Sequence, residues 1–175
     1  GVDRWVLDGH RTKAGQALIP GTGYLEICAE AMAQEGLARF EIRDLYFLRP
    51  LMVDDAAPRD MRAQLVTTDE GYSVEIRSAV THKARNGWQL HAQARLLPLT
   101  DAAGRIDPAA IAARCPLTRQ DPAGIASPQE AHLAFGPRWR VLSSRATGAD
   151  EGLARLALPA AFRAEAGDWL LHPAL

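Results

Sequence analysis

Cysteine is scarce: the 175-residue chain carries two, Cys28 and Cys115, far apart and each among apolar neighbours. Such a pair cannot supply the crosslinks on which small secreted domains depend. The two read as buried thiols of a protein kept in the reducing cytoplasm. An excess of one charge is missing too, since 20 Lys and Arg against 21 Asp and Glu leave a formal net charge of -1. The arginines are scattered among carboxylates, so there is no basic face to hold nucleic acid. No apolar run reaches the ~18 residues of a membrane span. The opening Gly1–His10 segment lacks the apolar stretch of a signal peptide.

Specific chemistries are absent as well. No Ser or Cys nucleophile motif and no phosphate-binding loop occurs, and His82, His91, His132 and His172 stand at no metal-ligand spacing with Cys or carboxylates. What is present is the composition of a globular protein, 47% apolar and 23% charged. The length suits one domain, or two small ones sharing a core.

From Gly21 onward, Leu25, Cys28, Ala29 and Met32 recur at helical spacing, with Thr22 placed to cap the start and Gly36 to stop the helix. Strands are expected at 40–47, 62–67, 72–80 and 88–97, divided by Pro50, Asp69-Glu70-Gly71 and Asn86-Gly87. Trp5–Leu7 is strand-like. Residues 100–127, with Pro108, Pro116 and Pro122 and a short helical run at 109–113, read as a surface connector. Strands are expected again at 132–144, 152–158 and 169–171. The pattern is α+β: a buried helix followed by an antiparallel sheet able to wrap it. The expected division is an N-terminal half (1–99), the connector (100–127) and a C-terminal half (128–175).

The segment most informative about chemistry is Asp8–Tyr24, where His10 is followed by Gly15, Pro20 and the helix. Such a loop delivers an imidazole near a helix N-terminus, whose unpaired N–H groups favour negative charge. If a thioester carbonyl points at those groups, its α proton becomes acidic enough for a neutral imidazole to remove. The same residues admit a plainer reading. Gly15 and Gly21 then permit backbone turns, and Pro20 starts the helix.

The string Trp5–Glu26 resembles the His-x3-Gly-x4-Pro signature of polyketide synthase dehydratase domains, including its flanking Trp and its Pro-Gly-Thr step into the helix. Asp44–Leu51 resembles the strand that follows that helix in the family. Ala134–Trp139 resembles the Tyr-Gly-Pro-x-Phe motif, with Phe135 in place of Tyr and Trp139 in place of Phe. Leu171–Leu175 resembles the approach to a second helix.

The resemblance spans the chain and implies a double hotdog, two curved sheets each wrapping a helix, with the outermost N-terminal strand and the second central helix lying beyond residues 1–175. It implies removal of water from a 3-hydroxyacyl chain to give a 2,3-enoyl thioester. The chain would be carried on the phosphopantetheine of an acyl carrier protein, and the reaction would need no dissociable cofactor and no metal. His10 would be the base, with Gly15, Pro20, Gly21, Phe135, Gly136 and Pro137 along the substrate. The acid would be an Asp after the His-Pro-Ala-Leu segment. Neighbouring synthase domains and a homodimer are the partners it implies.

His172, Trp88, Trp169 and Tyr72 read as structural residues of the core or wall. Two other functions remain compatible. The same site could carry the product on to a cyclic ether or a shifted double bond, or the domain could be a non-catalytic module for docking and dimer contacts. A hotdog enzyme acting on coenzyme A thioesters leaves the Phe-Gly-Pro and His-Pro-Ala-Leu segments without a role.

Overall fold

Val74, Ile76 and Ser78 are buried while the residues between them are not, so this stretch presents one apolar face that needs a cover. The computed structural model, which describes residues 4–101 and 104–175, supplies it with a helix. Residues 1–3 of the expected N-terminal half and 102–103 of the connector lie outside the described residues.

In chain order the elements are α1 (Trp5–Asp8), β1 (His10–Thr12), β2 (Ala17–Leu18), α2 (Gly21–Gln34), β3 (Phe40–Phe47), β4 (Met52–Val53), β5 (Met61–Thr68), β6 (Gly71–His82), β7 (Arg85–Pro98), α3 (Pro108–Arg114), β8 (Leu117–Gln120), β9 (Leu133–Phe135), β10 (Leu142–Thr147) and β11 (Gly152–Leu156). Turns of 3-10 helix occupy Pro128–Ala131, Pro137–Trp139 and Ala160–Asp168. The strands form antiparallel sheets ordered β3-β7-β6-β5, β4-β2-β1-β9 and β11-β10-β8.

The α+β hotdog expected of the first half is present. Tyr24, Cys28 and Met32 of α2 pack on Val74, Ile76, Ala92, Ala94 and Leu96 of the large sheet, with Leu51 closing the cluster. Among the described residues no second long helix comes after the smaller sheets, and no helix is long and apolar enough to cross a membrane.

The other face of α2 is also covered. Glu26, 4% exposed, accepts hydrogen bonds from the backbone N–H of Leu170 (3.0 Å) and of Leu171. One turn earlier, the Thr22 hydroxyl donates to Pro173 O at 2.5 Å. Thr22 is therefore not the helix cap. Pro20 holds that position in extended backbone, with no side-chain capping bond, and Thr22 lies inside the first turn with its hydroxyl committed to the distant segment.

The same contact corrects the strand expected at 169–171. Two of its N–H groups, those of Leu170 and Leu171, are taken by one carboxylate instead of a ladder. Replacing Glu26 with Ala removes the charged acceptor of these two part-buried N–H groups and should destabilise the protein by about 2 kcal/mol, read as a lower midpoint in urea with an unchanged m-value.

Other local expectations yield to identifiable causes. Trp5–Leu7 lies in the short helix α1, since Leu7 and Asp8 both donate to Arg4 O at 2.9 and 2.8 Å. The strand expected at 132–144 is split into β9 and β10, because Pro137 has no N–H to give and starts a 3-10 turn. The hairpin joining β6 and β7 turns at Lys83-Ala84, not at Asn86-Gly87. Both of those residues adopt positive φ (47° and 62°), a conformation imposed by the register His82↔Arg85. The connector is more than a surface link, since β8 pairs with β10 while Cys115 and Ile125 are buried. Trp88 is not a core residue: it is 39% exposed, with the Arg62 guanidinium 4.2 Å above its ring.

The two halves interlock. Trp5 enters a cluster with Val141, Leu158 and Ala174, and β9 pairs with β1 in the register His10↔Phe135.

Candidate active site

Four residues separate His10 from Gly15, one more than in the signature that the sequence resembles. The additional residue is taken up in the β1–β2 turn, where Gly15 adopts φ 87° and its N–H donates to Thr12 O at 2.9 Å. The chain leaving His10 thus folds back at once as a tight hairpin.

His10 is 8% exposed, and its Nδ1 lies 3.0 Å from Leu18 O on the facing strand. A carbonyl can only accept, so the neutral ring carries its proton on Nδ1 and keeps a lone pair on Nε2. Nε2 has no hydrogen-bond partner among the described residues and is not sealed from solvent. Burial lowers the His10 pKa below the ordinary histidine value, partly opposed by the Leu18 carbonyl. An imidazole so held is neutral near pH 7, fixed in tautomer, and open at its basic nitrogen.

Aromatic rings surround it. Phe135 stands opposite His10 with ring centroids 5.5 Å apart, and Trp139 lies 5.4 Å away. Gly136 brings this wall in, donating its N–H to Gly9 O at 2.9 Å. A Cβ on Gly136 would sit 2.9 Å from Gly9 Cα, and one on Gly9 would meet Trp139 Nε1 and Trp5 O, each at 2.9 Å. The two glycines permit a backbone contact that no other residues would allow. Pro137 then starts the turn holding Trp139, and Arg138 pins that turn to Glu165 through bonds of 2.7 and 2.8 Å.

The remaining expected site residues are placed apart. Pro20 is buried where α2 begins. Gly21 lines a hollow of about 320 Å³ with Leu18, Tyr24, Phe47, Arg49 and Pro50, and a Cβ on it would touch the Phe47 ring at 3.2 Å. Gly136 and Pro137 line a separate hollow of about 220 Å³ with Gly9 and Arg138. Gly15 is exposed beside Asp54, Asp55 and Arg59, away from the other candidates.

The structure adds Gly9 and Leu18 to the residues that build this region, and Glu26 to those that tie the C-terminal segment to α2. A Gly directly before His10 and an acidic residue inside the buried helix face are the signals the sequence holds for two of them. Leu18 acts through its backbone and leaves none.

Other groups have settled duties. Burial pushes the Cys28 thiol up to about 11, which leaves it protonated and unreactive. The His172 ring stacks on Trp5 at 5.2 Å, and its Nδ1 accepts from Ala174 N–H at 3.2 Å. Among the described residues no three His, Cys, Asp or Glu side chains are grouped to hold a metal.

Burial lowers the pKa of His91 and His172 as it does that of His10. The unfolded chain therefore takes up protons first, near pH 6.5. Their contribution to stability is complete above that value and is lost as pH falls toward the lower folded values. Urea midpoints at pH 7.5 and 5.5 should show the protein weaker at 5.5.

Two family models match, the polyketide synthase dehydratase domain over residues 2–79 and the polyketide synthase dehydratase N-terminal domain over residues 103–175. Among curated proteins the chain is similar to polyketide synthase PksM of Bacillus subtilis (27% identity over 170 residues, 92% of this chain and 4% of the synthase). It is also similar to the spectinabilin synthase protein NorA' of Streptomyces orinoci (28% over 184 residues, 98% of this chain and 5% of that protein).

Similar solved structures include a trans-AT dehydratase domain from Brevibacillus brevis (TM-score 0.76, 22% identity, 98% of this chain and 62% of that one). The dehydratase of the CurF module of curacin synthase matches with TM-score 0.76 and 24% identity, over 97% of this chain and 62% of that one. The dehydratase of the CurK module (TM-score 0.74, 23% identity, 97% and 61%) has also been solved as Asp→Asn and His→Phe variants described as inactive. The chain thus spans about three fifths of the solved dehydratases and a few per cent of the curated synthases.

Proposed function

Because this chain belongs to the polyketide synthase dehydratase domains, we propose that it removes water from a 3-hydroxyacyl thioester to leave a 2,3-enoyl thioester, with His10 as the base. The observation that carries this reading is the pairing of His10 Nδ1 with Leu18 O, which leaves Nε2 unprotonated and open.

The Nε2 lone pair takes the α proton, and the electrons left on the α carbon form the new double bond as the β C–O bond breaks. Negative charge builds on the thioester oxygen as the α proton leaves. The start of α2, which has no side-chain cap and whose Gly23 N–H is already donated to Pro20 O, would add a dipole of the right sign to stabilise it. The hydroxyl departs as water on a proton from an acid. In the family this is an Asp after the segment matching His172–Leu175, and an inactive Asp→Asn variant of the CurK dehydratase agrees with that role. Its inactive His→Phe variant agrees with the role given to His10.

Only protons and an electron pair within the substrate move, so the reaction draws on no dissociable cofactor. The acyl chain arrives on the phosphopantetheine of an acyl carrier protein, within a dimeric synthase whose adjoining domains build and process it.

Synthetic 3-hydroxyacyl chains on a carrier protein, followed by mass spectrometry, test the proposal. Loss of one water is expected with the simple chain. A chain bearing a distal hydroxyl that changes retention without further change of mass indicates cyclisation at the same site. No loss of water from either hydroxyl stereoisomer contradicts the proposal and favours a docking module.

A further inference from the structure

Dehydration at His10 leaves a second buried imidazole unexplained. His91 is 1% exposed and sits in the large sheet, where the β6–β7 ladder steps from Ile76↔Ala92 to Arg77↔Leu90. It therefore has no partner across the ladder and is the extra residue of a β-bulge. Bulges redirect side chains and are frequent beside functional sites. Here the bulge turns His91 and Ala92 both inward, breaking the alternation of buried and exposed residues along β7.

The redirected residue grips the chain leaving β3. His91 O accepts from Leu48 N at 2.8 Å and from Arg49 N at 3.2 Å. Its ring Nδ1 faces Arg49 O at 3.3 Å, and Nε2 faces the Ser78 hydroxyl at 2.8 Å. Since the Arg49 carbonyl can only accept, the proton is on Nδ1 and Ser78 donates to Nε2. Burial, and after it the positive charges of Arg59 and Arg49, favour the neutral form of this ring, partly opposed by the Arg49 and Pro50 backbone.

From Arg49 the connection to the reacting site is short. Pro50 stiffens the next step. Leu51, fully buried, accepts from Ile19 N at 3.1 Å. Met52 and Val53 then pair with Leu18 and Ala17, and the carbonyl of Leu18 is the one that orients His10. We propose that His91 is a positioning residue for the His10 site: it fixes segment 48–51 against β2 and thereby fixes the Leu18 carbonyl that selects the His10 tautomer. This deepens the dehydratase reading and rests on it for its functional meaning.

Ring tautomers and titrations, read by NMR of histidine-labelled protein, test the link without requiring turnover. In the wild type His10 is expected as the Nδ1–H tautomer, titrating below the ordinary value. His91→Leu removes both ring contacts and should admit the Nε2–H tautomer of His10, with its titration moved lower as the Leu18 bond weakens. His91→Asn keeps an N–H donor at the place of Nδ1 and should restore the single tautomer.

Ser78→Ala, a smaller change that keeps the fold if His91→Leu does not, should act in the same direction. Val74→Ala, a loss of packing in the same sheet, should lower the melting temperature and leave His10 unchanged. Turnover of His91→Leu or Ser78→Ala should fall on the order of ten-fold through kcat with KM held.

A His10 tautomer and titration unaltered in both variants, with only the melting temperature lowered, overturns the proposal. A His10 that responds as expected in a protein that removes no water supports the link and counts against the dehydratase reading instead.

Discussion

Replacing His10 with Ala should reduce water loss by roughly 10²–10⁴-fold, the range for loss of a positioned general base. The variant takes away the nitrogen held open by the Leu18 contact, and no other His shares that setting. His91 is bonded at both ring nitrogens, and His172 is stacked on Trp5 with Nε2 sealed in the interior. Loss of the ring also opens space between Phe135 and Trp139, so His10→Phe is the companion variant. It refills that space with a ring that carries no base, and should be equally inactive while melting closer to wild type.

The pH dependence of the wild type has its origin in the same burial. The base works when neutral, and burial lowers its pKa. Activity should therefore persist below pH 6.5 and decline only as pH falls through the lower folded value. A rate that declines already above pH 6.5 would identify a different group.

Gly136→Ala should be strongly damaging for a single-methyl change near the site. Its Cβ would lie 2.9 Å from Gly9 Cα, a backbone atom that cannot swing aside. Gly9 cannot retreat either, being packed under Trp139 and against Trp5 O. Relief requires β9 to part from β1, which breaks the 2.9 Å bond between Gly136 and Gly9 and pulls Phe135 from its place opposite His10. Overpacking of this kind costs about 1–3 kcal/mol, and a misplacement of the site near 1 Å costs on the order of 10²-fold in rate. Gly87→Ala is the control, because a Cβ there meets nothing within 4 Å. Thermal melts of the two variants should differ clearly.

The parts of the fold that sequence makes legible are those whose causes are local. Helix α2 and the four long strands of the first half arise from spacing and alternation that short windows contain, and the structure has them at nearly the expected bounds. The parts it hides depend on distant partners. Thr22 looks like a cap until Pro173, 151 positions away, takes its hydroxyl. Residues 169–171 look like a strand until Glu26, more than 140 positions away, takes two of their N–H groups.

The site divides in the same way. His10 with Gly15, Pro20 and the Phe-Gly-Pro step is visible as residue types in order. Which of them meet is not, because β1–β9 pairing joins Phe135 and Gly136 to His10 while the hairpin turn carries Gly15 away. The tautomer of His10 is set by a backbone carbonyl, which no side-chain pattern reveals.

The most direct test of the central claim uses solvent deuterium. The elimination is reversible, so a 2,3-enoyl chain on its carrier protein, incubated with the protein in D₂O, should return as a 3-hydroxyacyl chain with deuterium on the α carbon. That label is expected with wild type and is expected to be absent with a folded His10→Phe variant. Deuterium delivered to the α carbon at wild-type rate by the His10→Phe variant would contradict it.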